Sequence, residues 1–184
     1  MREPAKTPSA ARKRYAHFLQ LALSCLTTAI WTFGEIDEYS ALVTSDDRIR
    51  LKREGDLPNL TLEGTQLFEI VPDDRFDGEY RTHTLAYVYT LRYEADDDEL
   101  ISWHWHPLTT PDRPYPHLHV AIDAPDLGTA LSKAHIPTGR VSFESVVRFC
   151  LSDLAVEARE NDWIDIIGDT EARFRKFSSW GGNA

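Results

Sequence analysis

The chain has 184 residues, of which 42% are hydrophobic and 11% aromatic, a composition typical of a globular protein rather than a disordered one. This length suits one domain. The net charge of −10 argues against a general nucleic-acid binder, because such proteins need a basic surface to bind phosphates.

The amino-terminal region is predicted to form an amphipathic helix capped by Ser9 and running to about Thr28. The stretch lacks the small-residue cleavage site of a signal peptide and is too polar for a membrane-spanning helix. We therefore expect a cytoplasmic protein with no membrane association. Cys25 and Cys150 lie in separate apolar patterns, so we expect buried thiols in a reduced compartment rather than a disulfide.

The middle of the chain, 32–122, has the pattern of strands separated by clusters of glycine, proline and aspartate. The candidate strands lie at 36–44, 49–52, 66–71, 80–93, 100–106 and 117–122.

The last third is predicted to contain two helices, the first capped by Ser142 and the second by Asn161 or Asp162. The glycines after Trp180 are expected to end the ordered structure. The order of elements predicts one α+β domain over 1–184, with an antiparallel sheet of about five to six strands, an amino-terminal helix and two carboxy-terminal helices. The ends, 1–8 and 179–184, are expected to be flexible.

Four of the seven histidines form two His-x-His pairs on neighbouring candidate strands. They are His104, His106, His117 and His119. Residues two apart point to the same face of a strand, so each pair shares a face. We expect His104 opposite His119 and His106 opposite His117, which places all four imidazoles together and leaves Trp103, Trp105, Leu118 and Val120 on the other face. A slip of one residue would bury the histidines, which the hydrophobic pattern opposes.

Three interpretations of this face stay open. Neutral imidazoles are ligands for zinc and other transition metals, and carboxylates such as Glu69 or Asp123 would have to come from elsewhere in the chain. Alternatively, two histidines acting as base and acid can cleave a phosphodiester without a metal, with Arg113 or Arg140 holding the phosphate. Finally, the histidines can be structural, as we expect for His17 and His83.

A second notable stretch, 135–140, connects the strands to the next helix. His135 and Arg140 can lie over the histidine face from this connection. The alternative is a rigid turn whose geometry is set by Pro137 and Gly139, with Arg140 in solvent.

Part of the chain resembles the TumE-type toxins of bacterial toxin–antitoxin pairs. The resemblance covers 65–120 and rests on Leu67-Phe68-Glu69-Ile70, then Tyr87-Val88-Tyr89, then Pro116-His117-Leu118-His119. The chain departs from the family in having Trp-His-Trp-His at 103–106, where the family has an arginine and an aspartate. The resemblance implies a cytoplasmic protein that acts on RNA and is neutralised by a protein partner, the antitoxin.

From the sequence we therefore predict a ribonuclease or other phosphodiesterase that needs no cofactor. The predicted catalytic residues are His104, His106, His117 and His119, with Arg113 and Arg140 as phosphate-binding residues and Glu69 as an orienting carboxylate. One alternative is a metal-binding hydrolase or oxygenase that uses the same four histidines as ligands for zinc or another transition metal. Another is a non-catalytic interaction protein whose negative charge attracts a basic partner.

Overall fold

The computed structural model describes residues 5–36, 39–44, 48–107, 114–121 and 134–180. The helices in this part of the chain are α1 (Pro8–Ser24), α2 (Phe143–Ser152) and α3 (Trp163–Phe177). The strands are β1 (Trp31–Ile36), β2 (Tyr39–Thr44), β3 (Ile49–Leu51), β4 (Leu60–Pro72), β5 (Tyr80–Tyr93), β6 (Glu99–Trp105), β7 (His117–Val120), β8 (Ile136–Pro137) and β9 (Ser178–Trp180).

All of these strands belong to one sheet, whose main order is β1-β2-β4-β5-β6-β7-β8 with antiparallel neighbours. Strand β3 pairs with the start of β4, and β9 pairs in parallel with β5. The predicted α+β class, with one helix before the sheet and two after most of it, is confirmed. The prediction of five to six strands is wrong, since the described residues contain nine.

The missed strands are short or divided, which explains the error. The candidate strand at 36–44 is two strands, one ending at Ile36 and one beginning at Tyr39, and β8 has only two residues. Alternation cannot be detected in such short pieces. Strand β9 lies beside Thr82–Thr84 of β5, where the shorter β6 leaves that edge of β5 open.

Helix boundaries follow local capping chemistry. The backbone N–H of Ala10 donates to the Thr7 hydroxyl at 3.1 Å, so Thr7 caps α1 and the predicted cap at Ser9 is wrong. Pro8 explains the earlier start, because its fixed φ suits the first turn of a helix. Helix α1 ends at Ser24, before the predicted Thr28, whereas the predicted cap of α2 at Ser142 is confirmed.

Both ends of the chain that we expect to be flexible contain residues that pair with β5. The carbonyl of Ala5 accepts a hydrogen bond of 2.8 Å from the backbone N–H of Tyr80, and Ala5 is buried. At the other end, Ser179 and Trp180 belong to β9. Backbone pairing thus connects both segments to β5. The flexibility of 1–8 and 179–184 stays a prediction.

The core lies between the helices and one face of the sheet. Leu42, Gln66, Tyr87 and Trp105 are aligned on this face across β2, β4, β5 and β6. Helix α2 contacts it through Phe149, whose ring centroid lies 5.6 Å from that of Trp103. Burial of Trp103 and Trp105 therefore fixes the direction in which the alternate residues of β6 point.

The cysteines agree with a further expectation. Cys25 and Cys150 are both buried free thiols, as predicted. Among the described residues, no helix is both long and apolar enough to cross a membrane.

Replacing Trp105 with alanine tests this packing. The side chain is 2% exposed, contacts Tyr87 and Trp180, and donates its indole N–H to the carbonyl of Pro114 at 3.2 Å. We expect Trp105→Ala to lower the free energy of unfolding by about 3–5 kcal/mol, through lost burial and the cavity left behind. Urea denaturation measures the change.

The matched control is Ile164→Ala, which truncates an apolar side chain that is 60% exposed. It should change the free energy of unfolding by no more than about 0.5 kcal/mol. Equal losses in the two variants would show that burial of Trp105 does not stabilise the core.

Candidate metal centre

Strands β6 and β7 bring the four predicted histidines onto one face of the sheet. His104 lies directly opposite His117, and Ser102 lies opposite His119. The predicted partners, His104 with His119, are therefore wrong by two residues. The shared face is nevertheless as predicted, because a shift of two residues keeps every side chain on its original side.

Each of the four rings contacts at least two of the others. The ring centroid of His104 lies 5.6 Å from that of His106, 5.5 Å from His117 and 4.9 Å from His119. The His117 centroid lies 5.5 Å from His106 and 5.3 Å from His119. These distances describe one packed group of imidazoles rather than four separate surface side chains.

A fifth histidine completes the group. Strand β8 pairs with β7, with Ile136 opposite Leu118, so His135 enters beside His119. Its ring is stacked on His117 with centroids 4.8 Å apart and lies 4.5 Å from the His119 ring. The expectation that His135 lies over the histidine face is confirmed. We call His104, His106, His117, His119 and His135 the histidine cluster.

His117 is the central and most buried member of the cluster. Its side chain is only 2% exposed, and its Nδ1 lies 3.0 Å from the carbonyl oxygen of Tyr115. A carbonyl can only accept a hydrogen bond, so Nδ1 carries the hydrogen in the neutral ring and Nε2 carries the lone pair. Backbone geometry thus fixes the tautomer of His117 and leaves Nε2 as its ligand atom.

A second polar contact holds His104. The Oγ of Ser102 lies 2.6 Å from Nε2 of His104 and 2.7 Å from the hydroxyl of Thr90. Ser102 and Thr90 are both buried on the histidine face of the sheet. When His104 donates from Nε2 to Ser102, its Nδ1 carries the lone pair, so this pair of hydroxyls can orient the ring as a ligand.

The environment keeps part of the cluster neutral. Burial, together with the positive charge that His119, His106, His117 and His135 would carry, lowers the pKa of His104 to about 4. Burial and the neighbouring His117 also lower the pKa of His106. Both rings are therefore unprotonated at neutral pH, which is the state that a metal ligand requires.

The cluster contains two overlapping sets of three ligands. His104, His106 and His117 form one, and His117, His119 and His135 form the other; within each, the ligand atoms lie within 4.8 Å of one another. A tetrahedral zinc ion with bonds of about 2.0–2.1 Å holds its nitrogens about 3.4 Å apart. Small side-chain rotations would therefore close either set around an ion. We call these sets the first triad and the second triad.

The other predicted site residues lie elsewhere. Glu69 pairs with His83 across strands, with a side-chain separation of 3.4 Å, and His83 is about 15 Å along β5 from Val88, the residue opposite His104. The structure thus does not bring Glu69 to the cluster. Arg113 and Asp123 lie outside the described residues.

Arg140 lies on the opposite face of β6. Its guanidinium is 4.4 Å from the centre of the Trp105 ring, and Trp105 alternates with the histidines. Together with Tyr115 and Trp180, Arg140 lines a cleft of about 570 Å³ at this edge of the sheet. The expectation that Arg140 lies over the histidine face is wrong, because its contact with the indole places it on the side of the helices.

The sequence reasoning missed Ser102 as a contributor to the site. Ser102 is two residues before His104, so the same alternation that grouped the histidines places it on their face. No pattern in the sequence predicts the contact of His117 with the Tyr115 carbonyl, because that contact depends on the backbone path into β7.

The low pKa of His104 predicts how metal-free protein responds to acid. An unfolded chain binds a proton at this residue near pH 6.5, whereas the folded protein does so only near pH 4. Protonation in this window therefore favours the unfolded state, and stability should fall as the pH is lowered from about 6.5 to 4. NMR titration in the presence of a chelator should show the His104 ring shifting near pH 4, with the urea-unfolded chain as the reference.

The variant His104→Gln cannot titrate at this position and should show a shallower fall in stability over the same pH range. A wild-type His104 resonance that titrates near pH 6.5 would contradict the described environment.

Comparison with family models, with curated proteins and with solved structures gave no match to this chain. The site must therefore be interpreted from its own geometry.

Proposed function

We propose that the protein binds a transition-metal ion through the histidine cluster. The observation that carries the proposal is the convergence of five imidazoles on one face of the sheet, in triads whose ligand atoms lie within 4.8 Å. Histidine is the commonest metal-binding side chain, and three imidazoles are sufficient to hold a zinc-type ion.

The chemistry of the donors determines the class of ion. In the described part of the chain, the groups able to hold a metal consist of histidines alone. Calcium and magnesium prefer carboxylate and carbonyl oxygens, so an all-nitrogen site favours Zn²⁺, Cu²⁺, Ni²⁺ or Fe²⁺. The net charge of −10 also favours the approach of cations from solution.

An ion held by three imidazoles would keep a coordination position open. Zinc in such a site would supply a water that ionises near neutral pH and can act as a nucleophile. Two neighbouring residues orient the histidine ligands: the Tyr115 carbonyl fixes the tautomer of His117, and Ser102 holds the His104 ring. Hydrolysis is therefore the activity to test first in the metal-loaded protein.

The geometry gives less support to metal-free cleavage of RNA. That mechanism needs a protonated imidazole to act as general acid at neutral pH. His104 and His106 have lowered pKa values, so they suit the role of base or ligand and not that of acid. Cleavage of RNA and binding of an antitoxin-like partner, which the resemblance to TumE-type toxins implies, stay predictions.

Metal binding is tested by titrating chelator-treated protein with Zn²⁺. We expect a saturable complex, and thermal unfolding should shift upward. When the free zinc concentration is 100-fold above the dissociation constant, zinc binding stabilises the folded state by about 2.7 kcal/mol. Binding should weaken below about pH 6, because protons compete for the imidazoles.

The variant His117→Gln removes the residue common to both triads and should lose zinc binding. The matched control is His17→Gln, in the exposed part of α1, which should bind zinc as the wild type does. If zinc, copper, nickel and iron all fail to stabilise the wild-type protein, the cluster is structural and the proposal is wrong.

A further inference from the structure

The two triads share one residue, and that residue can serve only one of them at a time. His117 belongs to both sets, whereas His104 and His106 belong only to the first triad and His119 and His135 only to the second. The hydrogen bond from Nδ1 of His117 to the Tyr115 carbonyl leaves a single lone pair, on Nε2. A lone pair on one nitrogen binds one ion, so the triads cannot both be complete at once.

A single larger site is the obvious alternative, and the spacing of the ligand atoms argues against it. Within the described residues, neither triad extends to a fourth residue at the same mutual distance. The outermost member of each triad lies on a different side of His117: His106 follows the end of β6, while His135 precedes β8 at the opposite edge of β7. His104 and His119 are neighbours, with ring centroids 4.9 Å apart, but among the described residues the ligand groups contain one or the other of them and not both. An ion in either triad therefore lies across His117 from the outermost member of the other triad.

We propose that the cluster holds one ion per chain, and that this ion occupies either of two alternative positions with His117 as the common ligand. This inference rests on the proposed function, since it presupposes metal binding. It adds that the ion moves from one triad to the other while it stays bound to His117 Nε2. The movement replaces two imidazole ligands by two others, so it involves no change of charge or oxidation state.

Such a site suits an ion that is accepted on one side of the cluster and released on the other. His104 and His106 approach from β6, and His135 approaches from the connection that precedes β8. Each position has only three protein ligands, which leaves room for a ligand from a metal donor or acceptor. The geometry thus points to exchangeable, zinc-type cargo rather than to a permanently fixed ion.

A double-mutant cycle on Zn²⁺ affinity tests the two-position arrangement. The variants are His106→Gln, which disrupts only the first triad, His135→Gln, which disrupts only the second, and the combination of both. Affinity is measured by competition with a chromophoric zinc chelator, and thermal unfolding of the metal-free proteins confirms that each variant folds. The control is again His17→Gln, which should have wild-type affinity.

Each single variant should still bind one equivalent of zinc, because the other position remains, and two equally occupied positions predict an affinity lowered about twofold in each. The double variant should lose about 100-fold or more, well beyond the product of the two single effects. Wild-type protein should bind one equivalent and not two.

Other results distinguish the two-position arrangement from metal binding itself. Additive losses, in which the double variant weakens binding by the product of the single effects, would overturn the two-position arrangement but leave metal binding intact. Two equivalents in the wild type would also overturn it, since His117 could not then be the shared ligand. Absence of zinc binding by wild-type protein would instead overturn the proposed function itself.

Discussion

Burial of the alternate residues of β6 is the constraint on which the site depends. Trp103 packs against Phe149 of α2, Trp105 is buried on the same face against Tyr87 and Trp180, and the period-two geometry of a strand then directs His104 and His106 to the opposite face. Moving either tryptophan out of the core would expose a large apolar side chain, which costs several times the thermal energy. The direction of the histidines is thus set by hydrophobic packing on the other side of the sheet.

The same constraint explains which features the sequence predicted. Alternation predicted that His104 and His117 share a face, but it did not predict that they are paired. Hydrophobic burial excludes a register shift of one residue, because that shift moves every side chain to the other face. It does not exclude a register shift of two residues, which leaves every side chain on its original face. His135 was suggested only by its place in a connection, and its stacking on His117 depends on the two-residue strand β8. Arg140 was misplaced because nothing local in the sequence indicates its contact with Trp105.

Clustering the histidines has an electrostatic consequence that favours a cation other than the proton. Burial, together with the charge that the neighbouring rings would carry when protonated, lowers the pKa of His104 to about 4. The lone pair of His104 thus stays available near neutral pH. A divalent ion can bind the lone pairs of several imidazoles at once, whereas each proton binds one nitrogen and repels a second proton on a neighbouring ring. His117, buried at the centre with its tautomer fixed by Tyr115, is the residue best placed to anchor that ion.

X-ray absorption spectroscopy of the protein loaded with one equivalent of Zn²⁺ tests the assignment of the metal centre most directly, because it reports the ligands of the bound ion. We expect a first shell of nitrogen and oxygen at about 2.0–2.1 Å, with outer-shell scattering from three imidazoles. The scattering should fall to fewer imidazoles, or the zinc should be lost, in His117→Gln. A first shell containing sulfur, or one with no imidazole scattering, would contradict the assignment of the histidine cluster as the metal centre.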